Sequence, residues 1–315
     1  MIGLYRNFVT NYKNIIIFIL LIIFITTIIL SCQKEIVVKP VSGYESQLFI
    51  ECILFPGEIP RVYLSKSMPY FAGEVIPQQL FARGASIRIL KDSEEDILLA
   101  DSTFDRFRCR WIPFYKGSVS AEFGRTYELV VNYDGQTYRA TTTIDQKSVS
   151  IDSVIYTPEF FDIFGGHDGV ILYFSDTPGQ DNYYRFQMNR MIDNTRLHAH
   201  ELDGLVSDCT EGKKFLSVDL GRTIFSDENV DGQAMELYVE VSFEYQAGDS
   251  AWVYVQSLDK NSAEFFSDLD LQLQSIKNPF VENVFLKSKI EGAIGIFGSV
   301  VRSDSVLFIY PQDNP

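Results

Sequence analysis

Residues 127–144 read YELVVNYDGQTYRATTTI, and this stretch decides the fold class. Apolar and polar side chains alternate on both sides of Asp134-Gly135, and a period of two is that of a half-buried β-strand. The dipeptide Asp-Gly is preferred in two-residue hairpin turns, because both positions of such a turn need positive φ angles. The stretch therefore predicts a β-hairpin with strands over 127–133 and 137–144.

Segments with a similar strand pattern lie on both sides of this hairpin, separated by turn residues. Aromatic residues, which favour sheets, are abundant, with 25 Phe and 17 Tyr. We therefore predict a mainly β protein: an immunoglobulin-like β-sandwich over residues 45–146 and a second sheet-rich domain over 147–315, divided at the polar break 145–150. The other predicted strands cover 47–54, 61–65, 84–90, 96–101, 107–111, 149–156, 170–174, 183–188, 234–245, 252–258, 295–301 and 305–310.

One segment of the second domain has the period of a helix instead. Its apolar residues at helical spacing are Phe265, Leu269, Leu273 and Ile276. Asn261 with Glu264 three residues later matches a capping box, and Asn278-Pro279 predicts the end of the helix. We therefore predict one packed α-helix near 262–276.

The amino-terminal residues have the order of a lipoprotein export signal. Two basic residues precede an apolar run over 15–30, and Ser31-Cys32 follows it directly. We predict a signal peptide over 1–31, lipid attachment at Cys32 and a lipidated tether over 32–44. An uncleaved membrane span is the alternative, but a spanning helix needs about 20 apolar residues and this run is shorter. Several acyl chains on one cysteine, such as palmitate, hold a protein firmly to a membrane.

The residues after the cysteine indicate which membrane carries the lipid anchor. No aspartate follows Cys32 directly, which argues against retention at the inner membrane. Gln33-Lys34-Glu35 resembles the short export tag of surface-facing lipoproteins in some Gram-negative groups. We therefore expect a lipid anchor in the outer membrane with the protein facing the cell surface, and a periplasm-facing anchor is the alternative.

The net charge of −15 narrows the classes of partner. An acidic surface repels phosphate backbones, so nucleic-acid binding is disfavoured. The same charge suits divalent cations or a basic partner.

Three cysteines follow the predicted lipid-attachment site: Cys52, Cys109 and Cys209. An odd number permits at most one internal disulfide, with one thiol left over. No pair is spaced Cys-x-x-Cys, so a zinc or redox motif is not indicated. We expect buried small hydrophobic residues at these positions, and the sequence leaves a disulfide between two of them open.

One acidic segment follows the first half of a calcium-binding loop. Asp227, Asn229 and Asp231 place oxygen ligands at alternate positions, and Gly232 follows for the sharp turn. The twelfth position, which would carry a bidentate acid, holds Tyr238. The segment therefore gives a calcium hypothesis, with an Asx-type turn between strands as the alternative.

Transition-metal and catalytic motifs are sparse. His198 and His200 would lie on one face of a strand and could hold zinc with Asp203, and a solvated loop is the alternative. The spacing is not His-Glu-x-x-His, and there is no Gly-x-Ser-x-Gly elbow, so neither motif predicts a hydrolase mechanism. We predict no catalytic residues.

Three glycines near the carboxyl end are spaced by threes: Gly292, Gly295 and Gly298. This spacing is not Gly-x-Gly-x-x-Gly, so dinucleotide binding is not predicted. We interpret the glycines as a tight backbone passage beside a packed Phe297.

Several short motifs resemble one family when they are taken in order. They are Gly84-Ala85-Ser86-Ile87, 124–129, the Asp134-Gly135 hairpin, 151–154, Phe174-Ser175-Asp176, Asn182-Tyr183-Tyr184, 278–280 and 292–298. Together they are similar to the DUF4249 family of bacterial lipoproteins, over most of the chain. Lys289 and Asn283 depart from that pattern, where Asn and Pro are expected. The resemblance implies an outer-membrane lipoprotein of unknown activity, often found alongside TonB-dependent transporters, and supplies no catalytic residues.

These observations lead to one expected function and two alternatives. We expect a lipid-anchored envelope protein that acts as a non-catalytic binding or accessory module, with a TonB-dependent transporter as the expected partner. The alternatives are a surface hydrolase of glycan or peptide and a calcium-stabilised adhesin. No cofactor other than calcium is expected.

Overall fold

The computed structural model describes residues 44–69, 76–105, 110–162, 165–193, 214–221, 223–240, 247–277 and 285–311, together with Leu21. The helices are α1 (Pro77–Leu80) and α2 (Lys260–Lys277). The strands of the first half are β1 (Leu48–Leu54), β2 (Arg61–Lys66), β3 (Ser86–Lys91), β4 (Glu94–Asp105), β5 (Arg110–Lys116), β6 (Thr126–Tyr133) and β7 (Gln136–Thr143). Those of the second half are β8 (Ile151–Asp162), β9 (Gly165–Ser175), β10 (Tyr183–Asp193), β11 (Lys214–Leu220), β12 (Phe225–Ser226), β13 (Ala234–Glu240), β14 (Ser250–Leu258), β15 (Ile294–Arg302) and β16 (Val306–Ile309).

The predicted hairpin is present as β6 and β7. The two strands pair antiparallel from Thr126 opposite Thr143 to Tyr133 opposite Gln136. Asp134 and Gly135 have φ angles of 51° and 75°, as a two-residue hairpin turn requires. Together with the other strands and the packed helix α2, this hairpin confirms the predicted mainly β fold class.

One large sheet runs through both halves of the chain. Among the described strands its order is β11-β10-β14-β15-β1-β2-β5-β4-β3-β6-β7, and β12 and β16 pair with β10 and β14. Inside this order, β1 and β15 are parallel neighbours, with Ile50 opposite Gly295. The other strand pairs of the described residues are all antiparallel.

The inward faces of this sheet enclose the first core. Many of its buried residues come from β1, β2, β3, β6 and β15, for example Ile50, Leu64, Ile87, Leu129 and Phe297. The sheet folds back so that its last strand β7 meets β15, where the Ser299 hydroxyl donates to the Thr143 carbonyl over 2.8 Å. Strands from both halves therefore build one hydrophobic core.

A second core lies between two sheets of the carboxy-terminal half. The sheet β13-β9-β8 packs on β10, β14 and β16, and buries Leu172, Phe174, Tyr184 and Val253. The rings of Phe174 and Tyr184 meet edge to face, with centroids 5.0 Å apart.

The predicted domain boundary falls between β7 and β8. The division into 45–146 and 147–315 stays a prediction, although Glu45–Pro315 forms one compact unit. The β1–β15 pair explains this unity, because a strand from the end of the chain completes the sheet of the first half.

The predicted helix is α2, and it differs from the prediction in two respects. Its first residues pack well, since Ala263 and Phe265 are buried, but Leu273 on the predicted buried face is 49 % exposed. The helix contacts the sheet mainly through its first turns, where Arg185 of β10 lies 4.3 Å from the ring of Phe266. The cap also differs: the Asp259 carboxylate, and not the Asn261 amide, accepts from the Ser262 backbone N–H at 2.6 Å.

Cys52 is a free thiol at the centre of the first core. It is fully buried among apolar side chains, and burial raises the pKa of its thiol. Its predicted role as a small buried hydrophobic residue is therefore confirmed. Cys109 and Cys209 lie outside the described residues.

Glu51 on β1 gives the fold a pH dependence. Burial raises the pKa of its carboxyl above 4.5, and the charge of Arg185 partly opposes this shift. Between pH 4.5 and the raised pKa, the native state binds more protons than the unfolded state, so the contribution of Glu51 to stability falls as the pH rises. We expect Glu51→Gln to be more stable than the wild type at pH 8, and this difference to shrink at pH 4.

Urea unfolding of both proteins at the two pH values measures this difference. The exposed Glu45→Gln is the control, because its side chain is solvated in both states. A difference between Glu51→Gln and the wild type that does not change with pH would contradict the assignment.

Candidate functional site

Some of the predicted site residues lie outside the described part of the chain. These are Cys32, His198 and His200, so the lipid-attachment site and the zinc hypothesis stay predictions. The described residues include all three of the calcium hypothesis: Asp227, Asn229 and Asp231.

The loop between β12 and β13 holds these three residues in consecutive turns. The Val230 N–H donates to the Asp227 carbonyl at 2.8 Å, and the Gln233 N–H donates to the Val230 carbonyl at 3.0 Å. Asn229 is exposed at a left-handed position, with φ 71°, which asparagine accepts better than most residues. The loop is thus a tight turn between strands that brings Asp227 and Asp231 together.

A third carboxylate, which the sequence reasoning did not include, completes the cluster. Asp176 directly follows β9, and one carboxylate oxygen each of Asp176, Asp227 and Asp231 lies within 4.8 Å of the others. Asp176 and Asp227 are buried, and Asp231 is exposed. We call these three residues the aspartate cluster.

Side chains next to and within the start of β10 donate hydrogen bonds to two of the three carboxylates. The Asn182 amide donates to Asp176 at 3.0 Å and to Asp227 at 3.1 Å. The Tyr184 hydroxyl donates to Asp176 in a short hydrogen bond. Burial, and then the bond to Asp176, raise the pKa of Tyr184, so the phenol remains a donor.

Backbone groups complete these contacts. The Gly232 N–H donates to Asp176 at 2.7 Å, and the Gly179 N–H donates to Asp231 at 2.8 Å. The glycine after Asp231 thus has a second role beside the turn, since a Cβ on Gly232 would lie 2.8 Å from the Pro178 Cβ.

The donor set of the cluster matches a hard cation. Carboxylate oxygens are the ligands that calcium prefers, and no lysine or arginine of the described residues forms an ion pair with these three aspartates. Asp176 comes from outside the loop, as in calcium sites that complete their shell from another segment.

A polar cleft of about 510 Å³ lies next to the cluster. It is formed by the end of β7, the turn before β10 and the junction of β14 with α2, and Asn182 belongs both to its wall and to the support of the cluster. Carboxylates of Asp145, Asp181 and Asp259 line it together with amides and hydroxyls, and Lys260 is the cation in its wall. The cleft is therefore rich in hydrogen-bonding groups.

Asp259 joins three elements at the base of this cleft. One carboxylate oxygen caps α2, and the other accepts from the Thr142 hydroxyl at 2.6 Å and from the Ser299 N–H at 3.1 Å. These bonds link β7 and β15 to the start of the helix. The carboxylate is thus engaged in holding the fold.

Ser257, one of the residues that line the cleft, has a buried hydroxyl without a partner in the described part of the chain. Its side chain is 2 % exposed, and its Oγ has no hydrogen bond within the described part of the chain. A buried hydroxyl that lacks a partner costs about 1–3 kcal/mol, so native proteins rarely keep one without a reason.

A comparison with known protein families identifies the family of this chain. The model of the DUF4249 family, described as a domain of unknown function, matches residues 33–305. The chain belongs to the DUF4249 family. No curated protein matches this DUF4249 chain. Within the described residues, none of the helices combines the length and apolar character needed to cross a membrane.

Two motifs that carry the DUF4249 resemblance meet at the aspartate cluster. Phe174-Ser175-Asp176 supplies one carboxylate, and Asn182-Tyr183-Tyr184 supplies the two side chains that bind it. The sequence therefore contained the signal for the third carboxylate in these motifs, although spacing along the chain did not connect it with Asp227.

The DUF4249 chain also exposes an apolar sheet face at the opposite end of β14. Val218 and Trp252 both lie opposite Asn189, and Leu307 lies opposite Trp252, so their side chains share one face. Leu220 and Ile309 continue it two residues further along β11 and β16. These five side chains are 46–58 % exposed, and we call them the apolar sheet face.

Proposed function

We propose that this chain is a lipid-anchored cell-envelope protein that acts as a non-catalytic binding or accessory module, with a TonB-dependent outer-membrane transporter as its partner. The polar cleft carries this proposal, because it offers many hydrogen-bonding groups to a ligand while its carboxylate at Asp259 is engaged in the fold. A cleft of this kind is suited to binding.

The anchor is proposed from the sequence. Ser31-Cys32 follows the apolar run directly, and the DUF4249 match begins at the next residue, Gln33. A lipidated Cys32 would hold the protein on the outer membrane with the family domain directed to the cell surface.

Replacing Cys32 by serine tests the anchor. Because serine has no thiol for the thioether, we expect Cys32→Ser to move the protein from the membrane fraction to the soluble fraction, while Cys52→Ser leaves it in the membrane. Mass spectrometry of the amino-terminal peptide measures the acyl chains directly. An unmodified, uncut amino terminus in the wild type would contradict the proposal.

The proposed partner would contact the apolar sheet face. Exposed apolar patches on soluble domains are typical of protein–protein contact surfaces, and tryptophan is enriched at such contacts. A lipid anchor would also keep this face close to integral proteins of the same membrane.

Affinity capture from gently solubilised membranes tests the partner. We expect the full chain to recover a TonB-dependent transporter, identified by mass spectrometry, and Trp252→Ser with Leu307→Ser to abolish the recovery. The control is Ile97→Ser with Leu99→Ser, which removes two exposed apolar side chains from β4. Reproducible absence of a transporter would count against the partner, and release of reducing ends from a glycan would favour the alternative of a surface hydrolase.

The aspartate cluster supports calcium as a stabilising ligand of this module. Three carboxylates with oxygens within 4.8 Å of one another repel each other, and a cation between them would remove this repulsion. We expect saturating calcium to raise the melting temperature of the full chain by about 5 °C, and a chelator to remove this increase.

A matched pair of variants checks that this shift comes from the cluster. Asp231→Asn removes an exposed carboxylate of the cluster and should cancel the shift, while Asp134→Asn, at an exposed turn, should keep it. If calcium produces no heat on calorimetric titration and no melting shift, the calcium hypothesis is wrong.

A further inference from the structure

The compact unit of the chain begins at one end of the large sheet. Its first residue is Glu45, and β1 follows from Leu48. Ser67, the residue after β2, binds this first segment: its carbonyl accepts from the Ser46 hydroxyl at 2.6 Å, and its hydroxyl accepts from the Gln47 N–H at 2.8 Å. The start of β1 and the end of β2 therefore lie at the same end of the sheet, which we call the entry end.

The β4–β5 hairpin points to the entry end as well. β5 runs antiparallel to β2, with Arg61 opposite Lys116, so Arg110 at the start of β5 lies toward the end of β2. Arg110 pairs with Asp105, the last residue of β4. The pairing of β4 with β3 already stops at Leu98, so this end of the hairpin projects past β3.

Helix α1 connects the projecting hairpin with the end of β2. Phe81, the residue after α1, forms a bridge with Ser65 of β2. On the other side, the Gln78 amide of α1 donates to the Trp111 carbonyl of β5 at 2.7 Å. These contacts hold Trp111 at the entry end.

An exposed aromatic pair lies at this end of the hairpin. Phe104 of β4 is opposite Trp111 of β5, so both rings share one face, and their centroids are 5.4 Å apart. The two side chains are 37 % and 52 % exposed. Tryptophan is enriched at membrane–water interfaces, because its ring is apolar and its N–H is polar.

The tether over 32–44 limits the distance between the entry end and the membrane. It spans at most about 45 Å, because each extended residue adds no more than about 3.3–3.6 Å. We infer that Phe104 and Trp111 insert into the surface of the membrane that holds the lipid anchor, as a second contact with its lipids. This inference rests on the proposed anchor at Cys32.

The charges near the aromatic pair do not indicate an electrostatic contact. Asp105 lies opposite Arg110, so the last described pair of the hairpin carries both signs. The net charge of −15 would repel anionic headgroups. We therefore expect a contact with zwitterionic lipids that is driven by burial of the two rings.

The two tryptophans of the chain allow a direct test, because Trp111 reports the hairpin and Trp252 reports the apolar sheet face. The lipidated full chain is reconstituted into vesicles of phosphatidylcholine with brominated acyl chains, since bromine quenches only indole rings that reach the lipid. Compared with unbrominated vesicles, we expect loss of Trp111 emission in Trp252→Phe and unchanged Trp252 emission in Trp111→Phe. Trp111 emission that bromine does not change would overturn the inference.

A charge beside Trp111 locates the contact. We expect Phe104→Asp to abolish the quenching of Trp111 in the Trp252→Phe background, because a charged side chain is costly in a bilayer. The matched control is Leu99→Asp, an exposed position on the other face of the same strand, which should keep the quenching. Both variants should keep the melting temperature, since both side chains lie on the surface. Quenching that survives Phe104→Asp would count against the hairpin contact.

Flotation of the same vesicles in a density gradient separates this inference from the proposed anchor. A chain that floats with the vesicles while Trp111 stays unquenched overturns the hairpin contact alone. A chain that does not float overturns the anchor and the hairpin contact together.

Discussion

Gly295→Ala will lower the free energy of unfolding by about 4 kcal/mol or more, the largest effect that we expect from a single methyl group in this protein. A Cβ on Gly295 would lie 1.8 Å from the Ile50 carbonyl oxygen and 2.7 Å from its carbon. The blocking atoms belong to the backbone of β1, which is held by its pairing with β15 from Phe49 to Leu54. The φ angle of 143° adds strain that a side chain does not accept.

Gly84→Ala is the control that measures the cost of a positive φ angle without a steric clash. Gly84 also has a positive φ, 80°, but a Cβ there would have no atom within 4 Å. We expect Gly84→Ala to cost about 1 kcal/mol, the penalty for the left-handed conformation. Urea unfolding of both variants gives the comparison, and a Gly295→Ala protein as stable as Gly84→Ala would contradict the close approach of β1 and β15.

Asp259→Ala will lower the free energy of unfolding by about 3 kcal/mol, because it removes a helix cap and leaves two further donors unsatisfied. The carboxylate accepts hydrogen bonds from the Ser262 N–H, the Ser299 N–H and the Thr142 hydroxyl. Asp259→Asn should cost less, since asparagine is also a good cap.

A double-mutant cycle with Thr142→Val measures the link between the two halves. Because Thr142 lies on β7 and Asp259 at the start of α2, their costs should not add, and the coupling should be about 1 kcal/mol. Additive costs would contradict a direct hydrogen bond between the two side chains.

The parts of the fold that follow from neighbouring residues were predictable. The hairpin at Asp134-Gly135 is one such part, since its alternation and its turn lie within residues 127–144. The partner of β1 was not predictable, because a period of two identifies a strand and its faces but not the strand beside it. Nothing local in 47–54 connects Ile50 with Gly295.

The same limit applies to the candidate site. The calcium-loop spacing predicted that Asp227 and Asp231 lie close together. Asp176 lies beside them only because β9 pairs with β13. The cap of α2 was wrongly predicted at Asn261, since both residues are good caps and the choice depends on Ser299 and Thr142, which lie far away in the chain.

The β1–β15 pair also bears on how the chain is made. β1 and β15 are neighbours in the sheet although they are far apart in the sequence, so closing this contact costs the entropy of the long chain segment between them. During vectorial synthesis β1 must wait for β15, and until then the edge of β1 stays open to pairing with other strands.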